Sequence, residues 1–213
     1  DNLTNPEIKE WTRKDCEYLH LGKIPGKHLI EQDKISEILV DKANKNLMVV
    51  RLKGGDPFVF AGCAEEMSVL DQAGIKYEIV PGVNAELAFA AYAGLTLTHR
   101  EFGSPISFLY GLKDLKMESL GVDFTKFDEF GGTLCIYMGI SKLEEMVDRL
   151  LQGGLPPEKP TVVVSNGTLP TQRKIICSLG ELVAKTGEEG LADPAVIFIG
   201  NAVDLPNKVN WFE

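Results

Sequence analysis

Two rhythms alternate along this chain, one of helical period and one of short continuous apolar runs. Residues 31–45 place Ile35, Ile38 and Leu39 at helical spacing. A run of strand length follows at 47–52 and ends in Gly54-Gly55-Asp56-Pro57. Residues 65–73 predict a helix closed by Gly74. Residues 77–80 predict a short strand stopped by Pro81-Gly82. Residues 84–93 predict an Ala-rich helix, with Asn84 as its cap and Gly94 at its end.

A second set begins after Gly103-Ser104-Pro105. Runs at 106–110, 133–137, 161–165, 173–177 and 195–199 predict strands. Residues 141–152 predict an amphipathic helix opened by a Ser141/Glu144 capping box and closed by Gly153-Gly154. Residues 179–185 predict a further helix, and the charged stretch 113–132 an exposed irregular loop. Strands alternating with helices predict an α/β chain of two domains, 1–102 and 103–213. The first is expected to be incomplete, because the chain opens on a turn-like Asp1-Asn2-Leu3 with no strand before it.

Composition narrows the function. With 213 residues, 44% hydrophobic and 25% charged, the chain reads as an ordinary globular protein rather than a disordered, collagenous or coiled-coil one. Its apolar stretches are far shorter than a membrane span needs and no secretory leader opens it, so a cytoplasmic protein without membrane partners is expected. The net charge is −9, and residues 61–213 carry all of it, since 1–60 hold ten basic and ten acidic side chains. That field argues against a nucleic-acid partner and leaves room for a small anionic substrate met by local Lys and Arg. Cys16, Cys63, Cys135 and Cys177 show no paired spacing, and His20, His28 and His99 form no Cys/His cluster of zinc-site spacing with them, so no metal is expected.

Three strand ends carry unusual chemistry. In Lys53-Gly54-Gly55-Asp56-Pro57 two glycines let a ligand approach the backbone and the carboxylate offers acceptors, although a plain Gly-Asp turn reads equally well. Tyr137-Met138-Gly139 and Ser165-Asn166-Gly167-Thr168, each taken alone, read as a core methionine and a polar turn.

Taken together and in order, the strings resemble a known family. VRLKGGDPFVF at 50–60, VPGV at 80–83, AYAGLTLTHR at 91–100, Tyr137-Met138-Gly139, Asn166-Gly167-Thr168 and Asn210-Trp211-Phe212 follow the signature of the tetrapyrrole methylases. The resemblance runs through the whole chain and is nearest to the branch that methylates uroporphyrinogen III to precorrin-2, on the way to sirohaem and cobalamin. It implies two α/β domains, in a homodimer, with S-adenosylmethionine in the cleft between them and S-adenosylhomocysteine as product. By resemblance Gly54, Gly55, Asp56, Val59, Asn84, Ala85, Met138 and Gly167 contact that cofactor. Asp1 falls where the family has a proton acceptor and Lys23 where it has a proton donor, although Lys23 by itself is an ordinary loop lysine. Glu65 and Arg100 are expected to meet the substrate, with Lys23, Lys27 and Lys53 as further cations for its carboxylates. Alternatives are another precorrin methylase or an inactive cofactor-binding module.

Two departures stand out. The family opens with a strand, a Gly-x-Gly-x-Gly-Asp turn and a helix that this sequence lacks. After Phe60 the family reads Gly-Arg-Gly-Gly-Glu-Glu, where this chain has Ala61-Gly62-Cys63-Ala64-Glu65-Glu66, so Gly62 replaces an arginine associated with substrate handling.

Overall fold

A computed structural model describes residues 3–21, 32–103, 105–111, 124–129, 131–204 and 211–212. Contacts divide the chain into two compact units, Asp1–Asn84 and Ala85–Glu213.

In the first unit α1 (Gln32–Asn44) packs on α2 (Cys63–Gln72). Ile35 and Leu39 are the buried positions of α1, as its periodicity predicts. Gly74 closes α2: the Ile75 N–H donates to the Leu70 carbonyl at 3.0 Å across it. The runs at 47–52 and 77–80, expected as strands, enter no ladder among the described residues. A strand is defined by its neighbour, and neither run pairs with one among the described residues. Met48, Val50 and Val80 are consequently 90%, 77% and 78% exposed. The two runs line a groove of about 1160 Å³ together with Leu39, Met67 and Leu70.

The second unit is a five-stranded sheet: β1 (Ile106–Tyr110), β2 (Thr133–Tyr137), β3 (Pro160–Ser165), β4 (Arg173–Ser178) and β5 (Ala195–Ile199), in the order β1-β2-β5-β3-β4. Only β1 and β2 pair in parallel; β2–β5, β5–β3 and β3–β4 are antiparallel. The sheet is therefore mixed. Its central strands read as continuous apolar runs because both faces are covered. Leu134, Ile136, Val163, Ile197 and Ile199 pack on one face with Met146 and Leu150 of α5 (Leu143–Gln152) and Leu182 of α6 (Leu182–Glu189). Cys135, Val162, Val164, Val196 and Phe198 pack on the other with Ala90 and Ala93 of α3 (Ala85–Ala93).

Three local expectations change. Within the predicted loop 113–132, Phe124–Glu129 forms a short helix, α4, because Phe124 is buried in the core and Asp128 pairs with the buried Lys159. The Ser141/Glu144 capping box does not form; a 3-10 turn, Ile140–Lys142, precedes α5 and the Ser141 N–H donates to Asp193 at 3.3 Å. The capping box of this unit is Ser178/Glu181, ahead of α6.

Candidate functional site

In the first unit the chain leaves the 47–52 run through Gly54 and Gly55 and folds into a clasp centred on Asp56. One carboxylate oxygen accepts the Phe58 N–H at 2.9 Å and the other the Gly82 N–H at 3.0 Å. The Asp56 N–H donates to the Asn84 side-chain oxygen at 2.8 Å. Loop 54–58 and segment 82–84 are thereby one piece, and Asn84 serves that bond. The Phe58 N–H, then the Gly82 N–H, hold the Asp56 carboxyl below its ordinary range, so it is ionised. Each oxygen keeps a lone pair for a hydroxyl or amine of a ligand.

Beside the clasp lies a buried charge cluster. Glu66 of α2, with its side chain 4% exposed, accepts from Lys53 Nζ at 2.8 Å, Arg51 Nε at 3.1 Å and Gln32 Nε2 at 2.9 Å. Burial alone would raise the Glu66 carboxyl, but the hydrogen bonds and charges of Lys53, Gln32 and Arg51 outweigh it and hold the group below its ordinary range. Lys53, expected as a cation for substrate carboxylates, has a side chain only 5% exposed and is paired to Glu66. The adjacent Glu65 is exposed, as is Arg100 in the turn bridged by His99 and Gly103.

In the second unit the sheet order sets the geometry. β5 runs antiparallel to both β2 and β3, so its first residues lie beside the ends of those two strands. The turns carrying Met138 and Gly167 therefore flank one segment, 192–195. The Met138 N–H donates to the Ala195 carbonyl at 3.1 Å and the Asn166 N–H to the Pro194 carbonyl at 3.0 Å. Ser165 Oγ donates to the Ala192 carbonyl at 2.6 Å. Met138, Asn166 and Thr168 all have φ between 50° and 69°. Such a conformation costs a non-glycine residue ~1–3 kcal/mol and persists only where surroundings enforce it. Gly167 is buried under Phe89 of α3: an added Cβ would stand 2.2 Å from that ring. The same helix opens with Ala85.

The structure thus brings Gly54, Gly55, Asp56 and Asn84 together in the first unit, with Val59 bonded to Asp56 through its N–H at 3.2 Å. It brings Met138 and Gly167 together around 192–195 in the second, with α3 against Gly167. Asp1, Lys23 and Lys27 lie outside the described residues. Sequence reading missed Glu66 with Arg51 and Gln32, Phe89, and Asp193. Two signals were present: Arg51 and Lys53 alternate on one side of an extended run, and Asp193-Pro194 punctuates the chain before a strand. Burial raises the Asp193 carboxyl above its ordinary range against the pull of the Ser141, Ile140 and Ala195 N–H groups.

These residues suit the methyl donor that the resemblance implies. The clasp offers an ionised carboxylate with spare lone pairs, and the one ammonium next to it is already neutralised. The sulfonium supplies its own positive charge, so the site needs no fixed cation.

Residues 1–183 match the family described as Tetrapyrrole (Corrin/Porphyrin) Methylases. The chain is 37% identical over 213 residues to the uroporphyrinogen-III C-methyltransferase of Bacillus subtilis, covering 100% of this chain and 82% of that protein. It is 35% identical over 213 residues to the siroheme synthase of Hahella chejuensis, all of this chain but only 45% of that longer protein. Among solved structures, uroporphyrin-III C-methyl transferase from Thermus thermophilus complexed with S-adenyl homocysteine superposes with a TM-score of 0.63 at 31% identity, covering 80% of this chain and 74% of that one. With its motifs, its sheet and these matches, the chain belongs to the tetrapyrrole methylases.

Proposed function

We propose that this protein is an S-adenosylmethionine-dependent uroporphyrinogen-III C-methyltransferase that makes precorrin-2. The observation that carries this reading is the identity of 37% along the whole chain to an enzyme of that name. The Asp56 clasp supports it by offering a fixed, ionised carboxylate to a cationic donor. S-adenosylmethionine supplies a methyl group already joined to a leaving group. Gly54, Gly55, Asp56, Val59, Asn84 and Ala85 hold it from one set of motifs, and Met138 and Gly167 from the other. Their work is to fix the donor so that a pyrrole carbon of the acceptor lies in line with the methyl. The pyrrole double bond gives the electron pair for the new C–C bond, and the S–CH3 electrons stay on sulfur. The macrocycle, left cationic, then loses a proton, which Asp1 accepts. Arg100 and Glu65 face the macrocycle's carboxylate and pyrrole N–H groups respectively.

Homodimerisation and a cytoplasmic location belong to the same proposal; among the described residues no helix is long and apolar enough to cross a membrane. Calorimetry with S-adenosylhomocysteine, followed by turnover with uroporphyrinogen III read by mass, tests it. Binding and a product heavier by one or two methyl groups are expected. Absence of binding at millimolar ligand refutes it.

A further inference from the structure

The two turns of the second unit share a support. Met138, Asn166 and Thr168 hold left-handed backbone at the ends of β2 and β3. The Thr168 N–H is held within its own turn by Gln172 Oε1 at 2.8 Å, whereas the Met138 and Asn166 N–H groups are held from outside theirs. What they have in common is segment 192–195. It accepts the Met138 N–H on Ala195, the Asn166 N–H on Pro194 and the Ser165 hydroxyl on Ala192. Its one charged side chain, Asp193, reaches the Met138 side: Oδ2 accepts the Ser141 N–H at 3.3 Å. Oδ1 is buried and, among the described residues, has no partner of hydrogen-bonding geometry. Burial raises this carboxyl above its ordinary range, and the N–H groups of Ser141, Ile140 and Ala195 pull against that rise. The Ser141–Asp193 hydrogen bond ties the turn after β2 to the strap through a charged acceptor.

We propose that Asp193 is a positioning residue for the methyl donor: its carboxylate fixes segment 192–195 against residues 139–141, so that the Met138 turn and the Asn166–Thr168 turn are held as one piece. It touches no reacting atom. The meaning of the ligand measurement below rests on the function proposed above; the exchange measurement does not.

Two substitutions test this on the full chain. Asp193→Ala removes both oxygens. Asp193→Asn keeps one oxygen and aims an N–H2 group at donors. Amide hydrogen exchange without ligand is expected to accelerate about tenfold in Asp193→Ala at residues 138–142 and 165–168 together, and less in Asp193→Asn, with β4 and α6 unchanged. Affinity for S-adenosylhomocysteine is then expected to fall about tenfold, and KM for S-adenosylmethionine to rise by the same factor with KM for uroporphyrinogen III constant. A purely structural role would raise exchange across the whole sheet and leave the affinity of the folded protein unchanged; that result overturns the proposal. So does acceleration confined to 139–142, which would mean the turns are not coupled. If the unsubstituted protein binds no S-adenosylhomocysteine, the function proposed above fails while exchange still decides for or against the coupling. If Asp193→Ala does not fold, Asp193→Asn decides by the same pattern at smaller amplitude.

Discussion

Removing the Glu66 carboxylate should unfold the first unit's packing before it affects anything else. Glu66 is the shared acceptor of Lys53 at 2.8 Å, Gln32 at 2.9 Å and Arg51 at 3.1 Å. Glu66→Ala leaves the Lys53 ammonium, 5% exposed, without its counter-charge. Breaking a buried pair from one side costs about 3–5 kcal/mol, and the more exposed Arg51 adds little to that. Glu66→Gln keeps the size and one oxygen and should cost about 2 kcal/mol. Replacing Glu66 by Leu and Lys53 by Met together should recover at least half of the loss, since no charge is then left buried. The assay is urea unfolding read by hydrogen exchange at residues 63–72, which reports on α2 rather than on both units averaged. The acid limb provides an independent check. Because the folded Glu66 carboxyl lies below its ordinary range, its stabilisation is complete above about pH 4.3, the unfolded value, and is lost as pH falls through the folded one. The gap between the unsubstituted protein and Glu66→Gln should therefore close at acid pH. A Glu66→Ala cost under about 1 kcal/mol at neutral pH would refute the cluster as a stabilising unit.

Gly62→Arg, which introduces the residue that the resemblance leads one to expect here, should destabilise the chain by ~1–2 kcal/mol in thermal unfolding, and Gly62→Ala by as much. Gly62 has φ +65° and its Cβ would stand 3.2 Å from the Gln32 side chain that serves Glu66; unchanged melting in both variants rejects this. Gly167→Ala should lower stability by ~1–3 kcal/mol and weaken S-adenosylhomocysteine binding, because its Cβ would meet Phe89 at 2.2 Å; adding Phe89→Leu should recover part of both. Arg100→Gln should raise KM for uroporphyrinogen III about fivefold with the S-adenosylhomocysteine affinity constant, and a shift in cofactor affinity instead would place Arg100 elsewhere.

Of the five strands of the second unit, β2, β3 and β5 were legible because each is an apolar run between turn residues, and burial on both faces produces that signature. Their order was not, since pairing β5 between β2 and β3 joins segments tens of residues apart. Ser141/Glu144 and Ser178/Glu181 spell the same local pattern, yet only the second caps a helix. At Ser141 the N–H is satisfied from Asp193, a partner 52 residues away that no local rule can see. The same limit applies to the site. Gly54-Gly55-Asp56 was readable as a turn with acceptors. That Glu66 rather than Glu65 is the buried carboxylate depends on which side of α2 meets Arg51 and Lys53.

With the donor at the Gly54 clasp, as proposed, the charge pattern there answers how one protein handles a cationic donor and a polyanionic acceptor. Lys53 immediately precedes the clasp and, unpaired, would repel a sulfonium. Glu66 neutralises it, while the Phe58 and Gly82 N–H groups keep Asp56 ionised on the other side of the two glycines. Arg51, Lys53, Glu66 and Asp56 together carry no net charge. The loop thus neither repels a donor bearing one positive charge nor attracts a substrate bearing eight carboxylates. Lys53 and Arg51 are committed to Glu66. Cations for the carboxylates must then come from other positions, and among the sequence candidates within the described residues Arg100 is the exposed one.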